Sequence, residues 1–143
     1  RFDRLVNSYR VIHGGKIIEK ADSVKQVLSH LRDGYCVVIL GDQDAGNSGI
    51  FVDFMGAPAS VAKGPVIFAM KTDTTVLNVF DIRQNDGSHI IKVSSPMKFE
   101  SSGNLNEDIK RWTSELTKSL EYMIYKYPSQ WLWLHNRWKT RHK

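Results

Sequence analysis

Residues 41–49, GDQDAGNSG, gather two carboxylates, two amides and a hydroxyl in one glycine-rich loop behind the apolar run YCVVIL of residues 35–40. The first chemistry such a loop suggests is phosphate binding. Gly41 is followed by four residues, then Gly46, Asn47 and Ser48, close to P-loop spacing. A P-loop needs lysine where Asn47 stands, because that ammonium neutralises the β- and γ-phosphates. Asp42 and Asp44 would repel them, and GIFVDF downstream does not read as the required helix. Nucleotide binding is therefore not expected. Calcium is the second possibility. Asp42 and Asp44 fit the first and third ligand positions, but Gly46 sits at the fifth, Asn47 where the sharp turn needs glycine, and Asp53 where a bidentate Glu belongs. That reading fails too.

The five histidines, His13, His30, His89, His135 and His142, are the natural general bases. A histidine base normally needs a carboxylate to fix its tautomer. His30 lies three residues before Asp33, which reads as a solvated helix edge, and His13 precedes Glu19 by six. Neither makes a convincing local pair. The chain has no CxxC, HxxH or HExxH metal spacing and no GxSxG elbow, so Ser48 lacks a sequence-local partner. The lone cysteine, Cys36, sits in the apolar run and reads as a buried small hydrophobe, excluding an intrachain disulfide.

These residues must be held by a fold. YRVIHGGKIIE reads as two short extended pieces, Val11–Ile12 and Lys16–Ile18, broken by Gly14–Gly15. ADSVKQVLSHLRDG reads as a helix capped by Asp22 or Ser23, with Val24, Val27, Leu28 and Leu31 on one face and Gly34 as its stop. YCVVIL has the length and purity of a strand covered on both faces. KGPVIFAMKT suggests a short buried helix opened by Pro65. TVLNVFDIR and SHIIKVS flank QNDG, a hairpin signal with Asp86–Gly87 at the turn. From Asn104 a long amphipathic helix carries Ile109, Trp112, Leu116, Leu120, Met123, Ile124 and Tyr127 as its stripe. Asp108, Arg111, Glu115 and Lys118 are expected to face water, Asn104 with Glu107 resembles a capping box, and Pro128 ends the pattern. This order predicts a single α/β domain with a mostly parallel central sheet flanked by helices.

Composition bounds the partners. The 143 residues carry a formal charge of +5, which favours acidic partners: phosphates, an anionic membrane face or an acidic carrier protein. Arg137, Lys139, Arg141 and Lys143 form a short tail, not a stripe along a sheet or recognition helix, so nucleic acid is not expected. No segment is long and apolar enough to span a membrane. The tail is also rich in tryptophan: WLWLHNRWK occupies residues 131–139.

Two blocks, GDQDAGNSGIFVDFMGAPAS and YPSQWLWLHNRWKTR, together resemble the bacterial lipid A biosynthesis acyltransferases, the lauroyl and myristoyl transferases of the lysophospholipid acyltransferase superfamily. The stretch GPVIFAMKTDTTVLNVFDIR between them and NSYR near the start fit as well, so the resemblance covers nearly the whole chain. It implies transfer of a fatty acyl chain from acyl carrier protein, or acyl-CoA, to a hydroxyl of a phosphorylated glycolipid. It further implies no cofactor, and a whole protein working at the cytoplasmic face of the bacterial inner membrane. The alternatives are transfer to another glycolipid and a non-catalytic lipid- or carrier-binding module.

The superfamily's His-x4-Asp/Glu motif, whose histidine deprotonates the acceptor hydroxyl, is missing. Five positions after the first four histidines stand Ile18, Tyr35, Ser94 and Thr140. In the family's order that motif precedes NSYR, so the expectation is that the base and an N-terminal membrane helix lie upstream, leaving no catalytic residue in these 143 positions. By resemblance, the chain is the C-terminal part of the acyltransferase domain and supplies walls of the site. Arg10 is the candidate cation for the thioester or an acceptor phosphate, against a surface salt bridge. Asp42, Gln43 and Asp44 are candidates to bind the acceptor or orient the absent histidine, against simple turn formation. Phe51 and Phe54 are candidates to line an acyl groove, against core packing, and Arg83 and Arg137 are candidate phosphate contacts. If residues 131–138 were helical, Trp131, Leu134 and Trp138 would share one face, and Trp133 and Arg137 another. Trp131 and Trp138 are expected to pack on the domain, with the basic end and Trp133 at a membrane interface.

Overall fold

The structure, a computed structural model, describes residues 2–18 and 23–141. Asp22, offered above as a cap, and Glu19, His142 and Lys143 lie outside the described residues. Two compact units divide the chain, residues 1–37 and 38–143.

The first unit is helical. Helix α1, Phe2–Val11, replaces the extended reading of Val11–Ile12. Phe2, Leu5, Val6 and Tyr9 recur at i, i+3, i+4 and i+7, a helical period that outweighs the strand preference of the β-branched pair at its end. The Gly14 N–H, with φ at 83°, closes on the Val11 carbonyl at 3.0 Å. Residues 15–18 are irregular, so no strand forms at Lys16–Ile18. Helix α2, Ser23–Arg32, forms as expected and buries Val27. Its end is a Schellman closure: Gly34 N–H to Leu31 and Tyr35 N–H to His30, with Gly34 at φ 82°.

The run YCVVIL is not a strand. Residues 35–40 have no ladder partner among the described residues, and Cys36, Val38 and Leu40 are exposed. A continuous apolar run predicts a covered strand only where neighbouring strands complete the ladder.

Among its described residues the second unit holds four strands and two α-helices. Strands β1, Ile50–Phe54, and β2, Ala57–Val61, pair antiparallel with Phe54 opposite Ala57. The two-residue turn between them, Met55–Gly56, has φ values of 54° and 80°, the geometry that twists a hairpin correctly. Helix α3, Gly64–Thr72, opens with Pro65 in its first turn and buries Val66 and Ala69. Strands β3, Val79–Arg83, and β4, His89–Val93, form the second antiparallel hairpin around Asp86–Gly87. There the Asp86 carboxylate accepts from the Ser88 N–H and hydroxyl, at 2.9 and 2.6 Å. The sheets are thus two antiparallel ribbons, and the mostly parallel sheet expected above is not found among the described residues. Each strand pairs with its sequence neighbour, whereas a parallel ladder needs a crossover connection between its strands.

Helix α4, Leu105–Lys126, is capped by the Asn104 side chain, which accepts from Asn106 and Glu107 N–H. Ile109, Met123 and Ile124 are buried as the stripe predicts. Asp108 is buried rather than facing water. Its carboxylate accepts from Ser102 N–H at 2.8 Å and Ser101 Oγ at 3.1 Å, and meets Arg111 at 3.2 Å, so it staples the preceding loop to the helix. Phe54, Ala59 and Ile124 form the core, with Met55, Leu120, Trp131 and Trp138 packed against it.

Candidate functional site

The glycine-rich loop and the tryptophan segment, remote in sequence, fold as one piece. Beyond Pro128 the chain makes a short 3-10 turn, Pro128–Gln130, and then a series of tight turns, so residues 131–140 are not the helix considered above. The inward aromatics follow nonetheless. Trp131 and Trp138 lie 6.2 and 5.5 Å from the Phe54 ring, centroid to centroid, within the range of favourable tilted aromatic pairs. Gln130 clamps the end of β3: its Oε1 accepts from Arg83 N–H and its Nε2 donates to the Arg83 carbonyl, both at 2.9 Å.

Asp44 is the joint. Its N–H donates to His135 Nε2 at 3.0 Å, its carboxylate accepts from Thr140 Oγ1 at 2.8 Å and Thr140 N–H at 3.3 Å, and it also takes Gly46 N–H at 3.1 Å. Burial alone would raise this carboxyl; the Thr140 and Gly46 hydrogen bonds, with the charge of Arg137, outweigh it and hold Asp44 below the ordinary carboxylate value. Below the loop, Ser60 Oγ donates to the Gly46 carbonyl at 2.6 Å, and Arg137 Nη1 donates to the Ser60 carbonyl at 2.7 Å. Arg137 is fully buried, with its guanidinium 5.0 Å from the Phe54 ring. Burial works against its charge, Asp44 and Asp42 favour it, and the net effect is a lowered value.

Two expectations follow from this packing. A Cβ added at Gly49 would stand 2.1 Å from Ser60 Oγ, 2.8 Å from Ala45 Cβ and 2.9 Å from the Val61 carbonyl. Gly49→Ala should therefore destabilise the second unit by about 2 kcal/mol, read by urea unfolding. The second concerns acid. Because the folded Asp44 value is depressed, its contribution is present above the unfolded value and is lost as pH falls through the folded one. Unfolding followed below about pH 4 should show a shallower acid loss for Thr140→Val than for the unaltered chain, since that variant removes the main cause of the depression.

The other sequence candidates are placed as follows. Arg10 lies on α1 of the first unit, its Nη1 donating to Asn7 Oδ1 at 3.2 Å, so the two polar ends of NSYR bond to each other. Asp42 and Gln43 stand beside the Asp44 joint, and among the described residues neither side chain has a hydrogen bond or ion pair. Phe51 is half-buried on β1. Phe54 is fully buried in the core, and so cannot line an open groove here. The Arg83 side chain is exposed while its backbone is clamped. Arg137, expected among phosphate contacts of the basic tail, is instead a core residue; Trp133 does remain exposed.

His30 bonds to the Gln26 carbonyl rather than to Asp33. The described residues contain one histidine–carboxylate contact, His89 Nδ1 to Asp81 Oδ1 at 2.7 Å, on the β3–β4 hairpin. Its side chains are 51% and 57% exposed, so it is a surface pair worth little to stability. Sequence reasoning gave His135 and Thr140 no role; their place in the terminal block was the only available signal. No group of three or more potential metal ligands occurs among the described residues, and no described helix is long and apolar enough to cross a membrane.

Residues 1–140 match the family model for bacterial lipid A biosynthesis acyltransferases, and the chain belongs to that family. It is 25% identical over 130 residues to a lipid A biosynthesis acyltransferase of Haemophilus influenzae, covering 90% of this chain and 39% of that protein. It is 26% identical over 143 residues to lipid A biosynthesis acyltransferase 2 of Shigella flexneri, covering 97% of this chain and 44% of that one. The chain thus spans less than half the length of either relative.

Proposed function

We propose that the whole protein transfers a fatty acyl chain from acyl carrier protein, or from acyl-CoA, to a hydroxyl of a lipid A precursor at the cytoplasmic face of the inner membrane. The observation that carries this reading is the family match over residues 1–140, joined to a loop in which the Asp42 and Gln43 side chains have no hydrogen bond among the described residues. In this chemistry the acceptor hydroxyl attacks the thioester carbonyl. A new ester C–O bond forms, the C–S bond breaks, and the hydroxyl proton passes through a histidine base to the departing thiol. That base belongs to the His-x4-Asp/Glu motif expected upstream of Arg1. The oxyanion formed on attack needs a cation or N–H donors aimed at it.

Each residue has a part in this scheme. Asp44 fixes the loop, Asp42 and Gln43 reach the acceptor sugar or the base, and Arg10 and Arg83 offer charge to phosphate. Phe51 lines part of the acyl path. The positive charge of the chain suits both an acidic carrier and a phosphorylated glycolipid.

Mass spectrometry tests the proposal. The full-length gene product, supplied with acyl carrier protein thioester and a lipid A precursor, should raise the acceptor's mass by one acyl group with loss of free thioester. Acyl-CoA run in parallel decides the donor, and a phosphoinositol mannoside acceptor tests the other glycolipid. An unchanged acceptor mass with folded protein, under every combination, would overturn the enzyme reading and leave a lipid- or carrier-binding module.

A further inference from the structure

Between the two inward tryptophans, the chain turns its most apolar residues outward. Leu132, Trp133 and Leu134 are 63%, 53% and 94% exposed, although large apolar side chains ordinarily seek cover. This tip is held from both sides. Trp131 and Trp138 are rooted on Phe54, His135 accepts the Asp44 N–H, and His135 N–H closes a turn on the Leu132 carbonyl at 3.0 Å. The Trp133 indole N–H is already used, donating to the Pro128 carbonyl at 2.7 Å. An indole whose donor is satisfied within the protein can leave water without stranding a polar group.

Along this stretch of the sequence the charge has one sign, the Asp44 carboxylate at its base being taken up by Thr140 and Gly46. From Tyr122 to Lys143 there is no Asp or Glu, against five Lys or Arg. Of these, Lys126, Lys139 and Arg141 are exposed, while Arg137 is buried. Two further aromatics on this stretch, Tyr122 and Tyr125, are also exposed. Apolar side chains flanked by cations match the depth profile of an anionic bilayer, acyl chains beneath and phosphates above.

We infer that Leu132–Trp133–Leu134 is a membrane-inserting tip, entering the acyl boundary of an anionic bilayer while Lys126, Lys139 and Arg141 rest on lipid phosphates. The two rooted tryptophans make insertion a property of a pre-formed turn, with little ordering cost on binding. The inference stands apart from the acyl-transfer proposal, since neither turnover nor substrate enters it.

The test uses the full-length protein with vesicles of phosphatidylcholine and phosphatidylglycerol, the phosphatidylcholine brominated in its acyl chains. Tryptophan fluorescence should be quenched on these vesicles, and Trp133→Phe should abolish most of the quenching, because Trp131 and Trp138 are packed on the core. This readout decides the point even if another segment also holds the protein to the vesicle. Leu132→Ser/Leu134→Ser, at exposed positions that leave melting unchanged, should remove the Trp133 quenching and weaken any tip-dependent affinity by about tenfold. Lys139→Gln/Arg141→Gln should reduce the quenching several-fold on anionic vesicles only. Quenching unchanged by Trp133→Phe would overturn the inference. So would a tip that vesicles leave unquenched but an acidic protein such as acyl carrier protein covers.

Discussion

Arg137→Ala is expected to destabilise the second unit by about 3 to 5 kcal/mol, a large part of what holds an ordinary domain folded. Three losses combine. The fully buried side chain leaves a cavity beneath Phe54, the hydrogen bond to the Ser60 carbonyl disappears, and Asp44 loses a cation that adds to the Thr140 and Gly46 hydrogen bonds in holding it charged. Ser60 keeps a second donor, the Ala45 N–H at 3.3 Å, so its carbonyl is not orphaned. Arg137→Met separates the terms, because it restores most of the volume and none of the charge. It should recover part of the stability yet still move the acid unfolding midpoint upward, since the Asp44 carboxyl then titrates nearer its ordinary value. Urea unfolding at neutral and acid pH reads both effects. A change under about 0.5 kcal/mol for Arg137→Ala would mean the residue is a surface cation after all.

How much of this was legible follows from where each element's instructions lie. Helix α2, helix α3, helix α4 and the β3–β4 hairpin were readable because their signals are local: Gly34, Pro65, Asn104 and Asp86–Gly87 act on their immediate neighbours. The β1–β2 hairpin was not. Its turn, Met55–Gly56, lacks the usual Asn-Gly, and Met55 is held in a left-handed conformation with its N–H bonded to the Glu121 carboxylate, which lies on α4. Asp108 misled for a similar reason: a charged residue on a helix reads as solvent-facing until Ser101 and Ser102 fold back onto it. The parallel sheet was inferred from the alternation of helices and strands, an order that says nothing about which strand lies beside which.

The candidate site divides the same way. The two blocks could be singled out by their residue pattern, and the inward placement of Trp131 and Trp138 was expected from a helical face that the segment does not form. That the blocks meet could not be read, because the Asp44–His135 and Asp44–Thr140 bonds span 91 and 96 residues. The meeting changes the weight of each acidic residue. Sequence left Asp42 and Asp44 open to turn formation or substrate contact, with the resemblance favouring contact for the loop as a whole. Asp44 is taken up entirely by Gly46, His135 and Thr140, whereas the carboxylate of Asp42, two residues earlier, has no hydrogen bond among the described residues.

That division is the centre of the account, and Asp42→Asn tests it most directly. The substitution keeps the shape of the side chain and removes its charge; no hydrogen bond of the loop depends on that carboxylate, and Asp44, the larger influence, remains to favour the Arg137 charge. The measurement is the initial rate of acyl transfer to a lipid A precursor by the full-length protein, taken alongside its thermal melting. The rate should fall by about a hundredfold, the scale of a misplaced reactant or base, while melting stays within about 2 °C of the unaltered protein. A rate left intact, or one that falls only in step with lost stability, would contradict the assignment of Asp42 to the substrate side of the loop.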